Sequence, residues 1–239
     1  RRLDSQRDRR RDGLRRHRLS SRCFRIGMVE VGNEWQPGPM SDLDPKSDLD
    51  PKQTLHRYLI AGREALLWKL DGLPEYDVRR PLVPSGTNLL GLVKHVAAVA
   101  SGYFGECLGR PFPEPVPWYE DGEHPNADLF VTATETRDDI YGFWDRAWKH
   151  ADATIEELSL DAKGHVPWWG DKSETTLHML LVHMATENYR HAGHADILRE
   201  QLDGAIGHRE ANDNLPEHDP TWWTDYYAMV QREANPFRT

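Results

Sequence analysis

The sequence predicts an all-α protein built on a four-helix bundle. Apolar residues recur at helical spacing in four long segments, at about 54–70, 88–108, 134–158 and 175–202. The second connection, 109–133, is long and rich in Pro, Asp and Glu, and no segment shows the alternation typical of a β-strand. A shorter helix rich in aromatic residues is predicted at 219–234. This order of elements favours a bundle with one long crossover.

Residues of the types preferred at helix N-caps mark the predicted starts of three helices. Thr54 is the expected cap of the first helix, and Asn88 or Thr87 that of the second. Ser173 or Asp171 is expected to cap the last helix.

Composition divides the chain into three parts, at 1–52, 53–206 and 207–239. The first part is a predicted disordered basic leader followed by a linker with two copies of SDLDPK, at 41–46 and 47–52. Residues 1–39 are a candidate non-native leader, and Met40 is an alternative start. The second part is the predicted four-helix bundle, and the third a tail that carries the aromatic helix.

Charge is distributed unevenly between these parts. Residues 1–30 contain eleven arginines against three aspartates and one glutamate, a net charge of +7, whereas the whole chain carries −9. The remainder is therefore acidic, which argues against nucleic-acid binding by the folded part, although a basic arm could still bind nucleic acid.

Two general features indicate where the protein works. No run of eighteen apolar residues occurs, so we expect no membrane-spanning helix. The chain has two cysteines in unrelated contexts, which favours a reducing cytoplasm.

Polar residues interrupt the apolar face of the last predicted helix. With His183 set at zero, the apolar face spans about 60° to 120°, His191 falls at about 80° and Glu187 at about 40°. Ionised groups are costly to bury unless they are paired or bind a metal. His95, beside the apolar face of the second helix, is the expected third member of the group. Two histidines and one carboxylate leave coordination positions open, as in a catalytic zinc or other divalent-metal site. The alternative is a Glu–His hydrogen-bonded pair without metal.

The remaining chemical groups give weaker signals. His194 and His183 lie on the flank of the same helix, where either could orient the carboxylate or face solvent. Cys107 is predicted to pack in the protein interior, since no neighbouring His or Lys is present to make its thiol a nucleophile. Serine-hydrolase and nucleotide-binding motifs do not occur.

Several motifs follow one another in order within 54–205. They are RRPLVPSG (79–86), LLGLVKHVA (89–97), VPWWG (166–170) and HMATENYRHAGHADILRE (183–200). Together they resemble the mini-circle-protein family of the DinB-like metalloprotein superfamily. The resemblance implies an up-down-down-up bundle and a divalent metal held by His95, Glu187 and His191. The glutamate is similar to that of the mycothiol-dependent maleylpyruvate isomerases. Zinc is the expected metal, with nickel, manganese and iron as alternatives.

The resemblance implies a function as well. The expected activity is that of a metal-dependent S-transferase or isomerase that uses a low-molecular-weight thiol, with mycothiol as the expected co-substrate and a small electrophile as the second substrate. The alternative is a non-catalytic, metal-stabilised bundle that acts as a homodimeric binding or stress protein, with the C-terminal aromatic residues at the dimer contact.

Overall fold

The structure, a computed structural model, describes residues 50–119, 124, 126–209, 215–216 and 218–238. Its helices are α1 (Pro51–Leu67), α2 (Glu75–Arg79), α3 (Leu89–Tyr103), α4 (Arg137–Glu157), α5 (Leu177–Asp203) and α6 (Pro220–Ala234). The predicted all-α class is confirmed. Residues 1–49, which hold the predicted leader and most of the SDLDPK repeat, lie outside the described residues.

The start of α1 differs from the prediction. The helix begins at Pro51, inside the second SDLDPK copy, and its N-cap is Asp50 rather than Thr54. Proline suits the first helical position because its φ is already helical and it has no N–H to leave unpaired. Thr54 instead donates its backbone N–H to the carbonyl oxygen of Asp50.

The starts of α3 and α4 depend on side-chain caps. Asn88, one of the two predicted caps, accepts a hydrogen bond from the backbone N–H of Gly91 at 2.8 Å. α4 begins at Arg137, three residues later than predicted, because Thr136 and Asp139 form a capping box.

A short β-hairpin precedes α5, although the sequence predicted no strand. β1 (Lys163–His165) pairs antiparallel with β2 (Glu174–Thr176), and a 3₁₀ segment at Pro167–Lys172 joins them. Strands of three residues are too short to show alternation. The predicted caps of α5, Ser173 and Asp171, are wrong, because the pairing continues to Thr176, whose side chain caps the helix.

The long helices bury one continuous apolar core. α1 packs against α5, and α3 lies against both α4 and α5. Gly62 of α1 lies beside Tyr189 of α5, and Lys69 farther along forms an ion pair with Asp196, so these two helices run in the same direction. The complete up-down-down-up order remains a prediction, which this parallel pair supports.

The aromatic helix is present at its predicted position, as α6. None of its residues is buried, and Trp222 stacks on His218 and on Tyr226 along one side. Among the described residues, no helix combines the length and the apolar character needed to cross a bilayer.

Candidate metal centre

Glu187 and His191 form one side of the site, on neighbouring turns of α5. Their spacing of four residues places both side chains on one face of the helix. His191 Nε2 and Glu187 Oε1 are hydrogen-bonded at 3.0 Å. His191 is buried and Glu187 half-buried, so the pair lies at the boundary between core and solvent.

His95 of α3 completes the group. Its Nε2 lies 3.7 Å from Glu187 Oε1, and the centroids of the His95 and His191 rings are 4.9 Å apart. One ligand atom from each of the three residues lies within 4.8 Å of the others. Donors at about 2.1 Å from a tetrahedral metal are about 3.4 Å apart. The two distances to Glu187 lie on either side of that value.

Asp128, which the sequence analysis did not single out, holds His95 from the far side. Its Oδ2 lies 2.6 Å from His95 Nδ1. Burial alone would raise the pKa of Asp128, but the hydrogen bond to His95 and the charges of His95 and Lys94 hold it below its usual value. An ionised Asp128 accepts a hydrogen bond from the Nδ1–H group of His95. This bond directs the other ring nitrogen, Nε2, toward Glu187.

The contact between His95 Nε2 and Glu187 requires a positive charge between the two side chains. A neutral His95 that donates Nδ1–H to Asp128 keeps a lone pair on Nε2, which faces the carboxylate of Glu187. Two electron-rich atoms facing each other need a cation or a second proton between them. The residues present therefore fit a divalent cation, and the alternative is a protonated His95 between two carboxylates.

The charge states of the α5 pair suit a metal ligand set. Burial, the largest single effect, opposes ionisation of Glu187, yet the hydrogen bond to His191 and the nearby charges of His191, His95 and His183 keep its pKa below the usual value. Burial lowers the pKa of His191, and His95 adds to this effect. An ionised carboxylate beside a neutral imidazole is the form in which both residues bind metals. His191 Nδ1 is buried without a hydrogen-bond partner among the described residues.

Asp128 reaches His95 because the crossover is fixed on α3. The side chain of Asn88 donates to the carbonyl oxygen of Leu129 at 3.1 Å. Gly91 allows this approach, since a Cβ at that position would lie only 2.0 Å from the same oxygen. The 3₁₀ turn Ala127–Leu129, which carries Asp128, is therefore held against the first turn of α3.

Lys94 fixes the crossover one turn farther along α3. Its fully buried ammonium donates to the carbonyl oxygen of Phe130 at 2.9 Å and lies 2.8 Å from Glu135 Oε1. Burial lowers the pKa of Lys94, and Glu135 opposes that effect. The indole of Trp118 donates to the same carboxylate oxygen at 2.8 Å. A buried lysine so closely paired restricts where this segment can lie.

The two flanking histidines of the prediction have different surroundings. The ring of His194 contacts that of His191, with centroids 5.4 Å apart, and the residue is exposed. His183 lies on the other side of Glu187, and its charge contributes to the lowered pKa of that carboxyl. Its ring packs against Tyr103 and Trp169. Of the two, only His183 contributes to the lowered pKa of Glu187, and an orienting role for either histidine remains a prediction.

Cys107 is not a nucleophile in this fold. The side chain is buried, and burial, together with the charge of Glu106, raises the pKa of its thiol to about 11. Very little of it is the thiolate near neutral pH. A sulfur nucleophile at this centre would therefore come from a small molecule or from a residue outside the described part.

Comparison with protein families identifies the bundle. The family model described as mycothiol S-transferase matches residues 54–204, which include α1 to α5 except the first three residues of α1. The match agrees with the resemblance to the DinB-like superfamily that the motifs indicate, because this family belongs to that superfamily. A search of curated proteins finds no match to the chain.

Proposed function

Because the chain belongs to the mycothiol S-transferase family, we propose that it is an enzyme that attaches a thiol of the mycothiol type to a small electrophile. In the transfer the thiol loses its proton to solvent, the sulfur forms a bond to an electrophilic carbon, and the leaving group departs with its bonding electrons. An isomerase would use the same sulfur addition and then expel the thiol again. The reducing cytoplasm predicted from the cysteine content suits a free thiol.

The convergence of His95, Glu187 and His191 carries the proposal. These residues would hold a divalent metal, for which zinc is the first choice and nickel, manganese and iron are alternatives. A metal with an open position stabilises a thiolate at neutral pH. Asp128 orients His95, and Glu187 contributes the negative charge of the ligand set. The buried Cys107 offers no competing nucleophile.

Metal content and thiol-dependent turnover test the proposal together. The purified protein is expected to hold stoichiometric metal and to consume electrophiles from a panel only when mycothiol is present, and a chelator should abolish the reaction. His191→Ala should lose both properties. His178→Ala, an exposed histidine on the same helix, is the matched control and should keep both. Stoichiometric metal in His191→Ala would overturn the ligand assignment.

The non-catalytic alternative has one observation in its favour. α6 exposes Trp222, Tyr226 and Tyr227, which could meet a second copy of the chain. This reading predicts a dimer that binds metal yet shows no thiol-dependent turnover, and that becomes monomeric in Trp222→Ala. Sedimentation of the wild-type and variant proteins, alongside the turnover assay, separates the two functions.

A further inference from the structure

An aromatic cluster of Tyr103, His183, Trp168 and Trp169 lies beside the metal centre, where the end of α3 meets α5. Tyr103 follows His95 by eight residues on α3, and His183 precedes Glu187 by four on α5. The Tyr103 and His183 ring centroids are 4.8 Å apart, so the two helices are antiparallel here. The cluster therefore begins about 6 Å from Glu187 along α5.

Two tryptophans of the hairpin are hydrogen-bonded to one hydroxyl group of this cluster. The indole nitrogens of Trp168 and Trp169 both donate to the hydroxyl oxygen of Tyr103, at 3.1 and 3.2 Å. Tyr103 is buried, so the acceptor is fixed. Gly170, which follows the two tryptophans, has φ 57° and ψ −127°, a conformation that favours glycine.

Trp168 is held in place and yet largely open to solvent. It is 59% exposed, and the edge of its ring lies over Gly102, where an added Cβ would be 3.8 Å away. Gly102 is two turns from His95 on the same face of α3, about 10 Å along the axis. An exposed apolar ring that a hydrogen bond holds near a candidate metal centre is typical of a ligand-binding surface.

The chemistry of the proposed thiol matches this surface. Mycothiol carries its cysteinyl sulfur on a pseudodisaccharide, whose rings have apolar C–H faces bordered by hydroxyl groups. Indole rings cover such faces, and the neighbouring His183 offers a polar group for a hydroxyl. Resting on the proposed function, we infer that Trp168 and Trp169, positioned by Tyr103, bind the sugar part of the thiol while its sulfur reaches the metal centre.

Comparison of two thiols, one with the sugar and one without, separates sugar binding from the chemical step. Turnover of one electrophile is measured with mycothiol and with N-acetylcysteine, which has the thiol but no sugar. Trp168→Ala should raise KM for mycothiol about tenfold, with kcat little changed and with kcat/KM for N-acetylcysteine unchanged. Tyr103→Phe, which keeps the ring but removes the shared acceptor, should change KM in the same direction. Tyr76→Ala, which removes an exposed aromatic ring on α2, is the matched control and should leave turnover with both thiols unaffected.

A binding measurement distinguishes failure of this inference from failure of the proposed function. The sulfur-free glucosaminyl-inositol is titrated into the chelator-treated protein, and contacts are detected by saturation-transfer difference NMR. Signal that disappears in Trp168→Ala supports the sugar site even if no turnover is found. Equal effects of Trp168→Ala on both thiols, or no effect on mycothiol, overturn the inference while leaving the transferase activity standing.

Discussion

Replacing Gly91 by alanine should weaken the metal site from a distance. The added Cβ would lie 2.0 Å from the carbonyl oxygen of Leu129 and 2.8 Å from Oδ1 of Asn88. A carbon–oxygen contact needs about 3.3 Å, so the crossover would have to move by about 1.3 Å. Both obstacles are backbone or capping atoms, which cannot rotate away. The shift would carry the adjoining Asp128 beyond hydrogen-bonding distance of its histidine.

The cost can be estimated from the bonds that fasten the crossover to α3. One bond between neutral groups contributes about 1 kcal/mol, and two that involve charged groups, His95–Asp128 and Lys94–Phe130, contribute about 1.5–3 kcal/mol each. Alanine regains up to about 1 kcal/mol in a helix. The expected net loss of unfolding free energy is therefore roughly 3–6 kcal/mol if all three bonds are lost, and less if the segment rearranges and keeps some of them. Loss of the carboxylate behind His95 should also lower metal affinity about 10- to 100-fold.

Denaturant unfolding of the metal-free protein and competition with a chromophoric chelator measure these two effects. Gly193→Ala is the matched control, because Gly193 lies within α5 and a Cβ there meets nothing within 4 Å. The control should be slightly stabilised and should bind metal normally. A Gly91→Ala protein that is as stable as the control and binds metal equally well would refute the reasoning.

Three further predictions concern single side chains. Asp128→Asn should lower metal affinity about tenfold with little loss of stability, as measured by chelator competition; unchanged affinity would contradict its positioning role. Cys107 should resist alkylation in the native protein at pH 8, because burial raises its pKa to about 11. Rapid labelling, detected by mass spectrometry, would contradict this expectation. The Cys107→Ala variant should keep thiol-dependent turnover. Burial would raise the pKa of Asp152, but His56 and Arg63 hold it below its usual value of about 3.8. Its stabilisation is therefore present above about pH 3.8 and disappears as the pH falls through the lower, folded-state pKa, so Asp152→Asn should flatten the acid limb of the unfolding free energy.

The ligand set could be predicted from the sequence because its signal is local. Glu187 and His191 occupy one apolar face of a single long helix, and the helical period alone brings them together. His95 could be predicted for a similar reason, since it lies beside the apolar face of a neighbouring helix. The structure brings all three together, although their binding of a metal remains a proposal.

The parts that could not be predicted depend on contacts between distant segments. Asp128 lies in a crossover without periodicity, and its role appears only when Leu129 meets Gly91 across a gap of 38 residues. The hairpin escaped prediction because strands of three residues carry no pattern. In the sequence, the motif at 166–170 contributes only to the family resemblance, since nothing local connects its tryptophans with Tyr103.

The helices supply the proposed ligands, whereas the crossover orients one of them and the hairpin supplies the proposed sugar-binding surface, and this division can be tested. Asp128 acts on His95, and Trp168 lies over Gly102, about 10 Å farther along α3. Changes at that separation without shared partners usually add. Asp128→Asn should lower metal affinity and Trp168→Ala should raise KM for mycothiol, and the double variant should show both changes, each as large as in the single variant. A double-mutant cycle in metal-saturated protein measures the coupling. Strong coupling would mean that the crossover and the hairpin form one site, with thiol recognition and metal orientation inseparable.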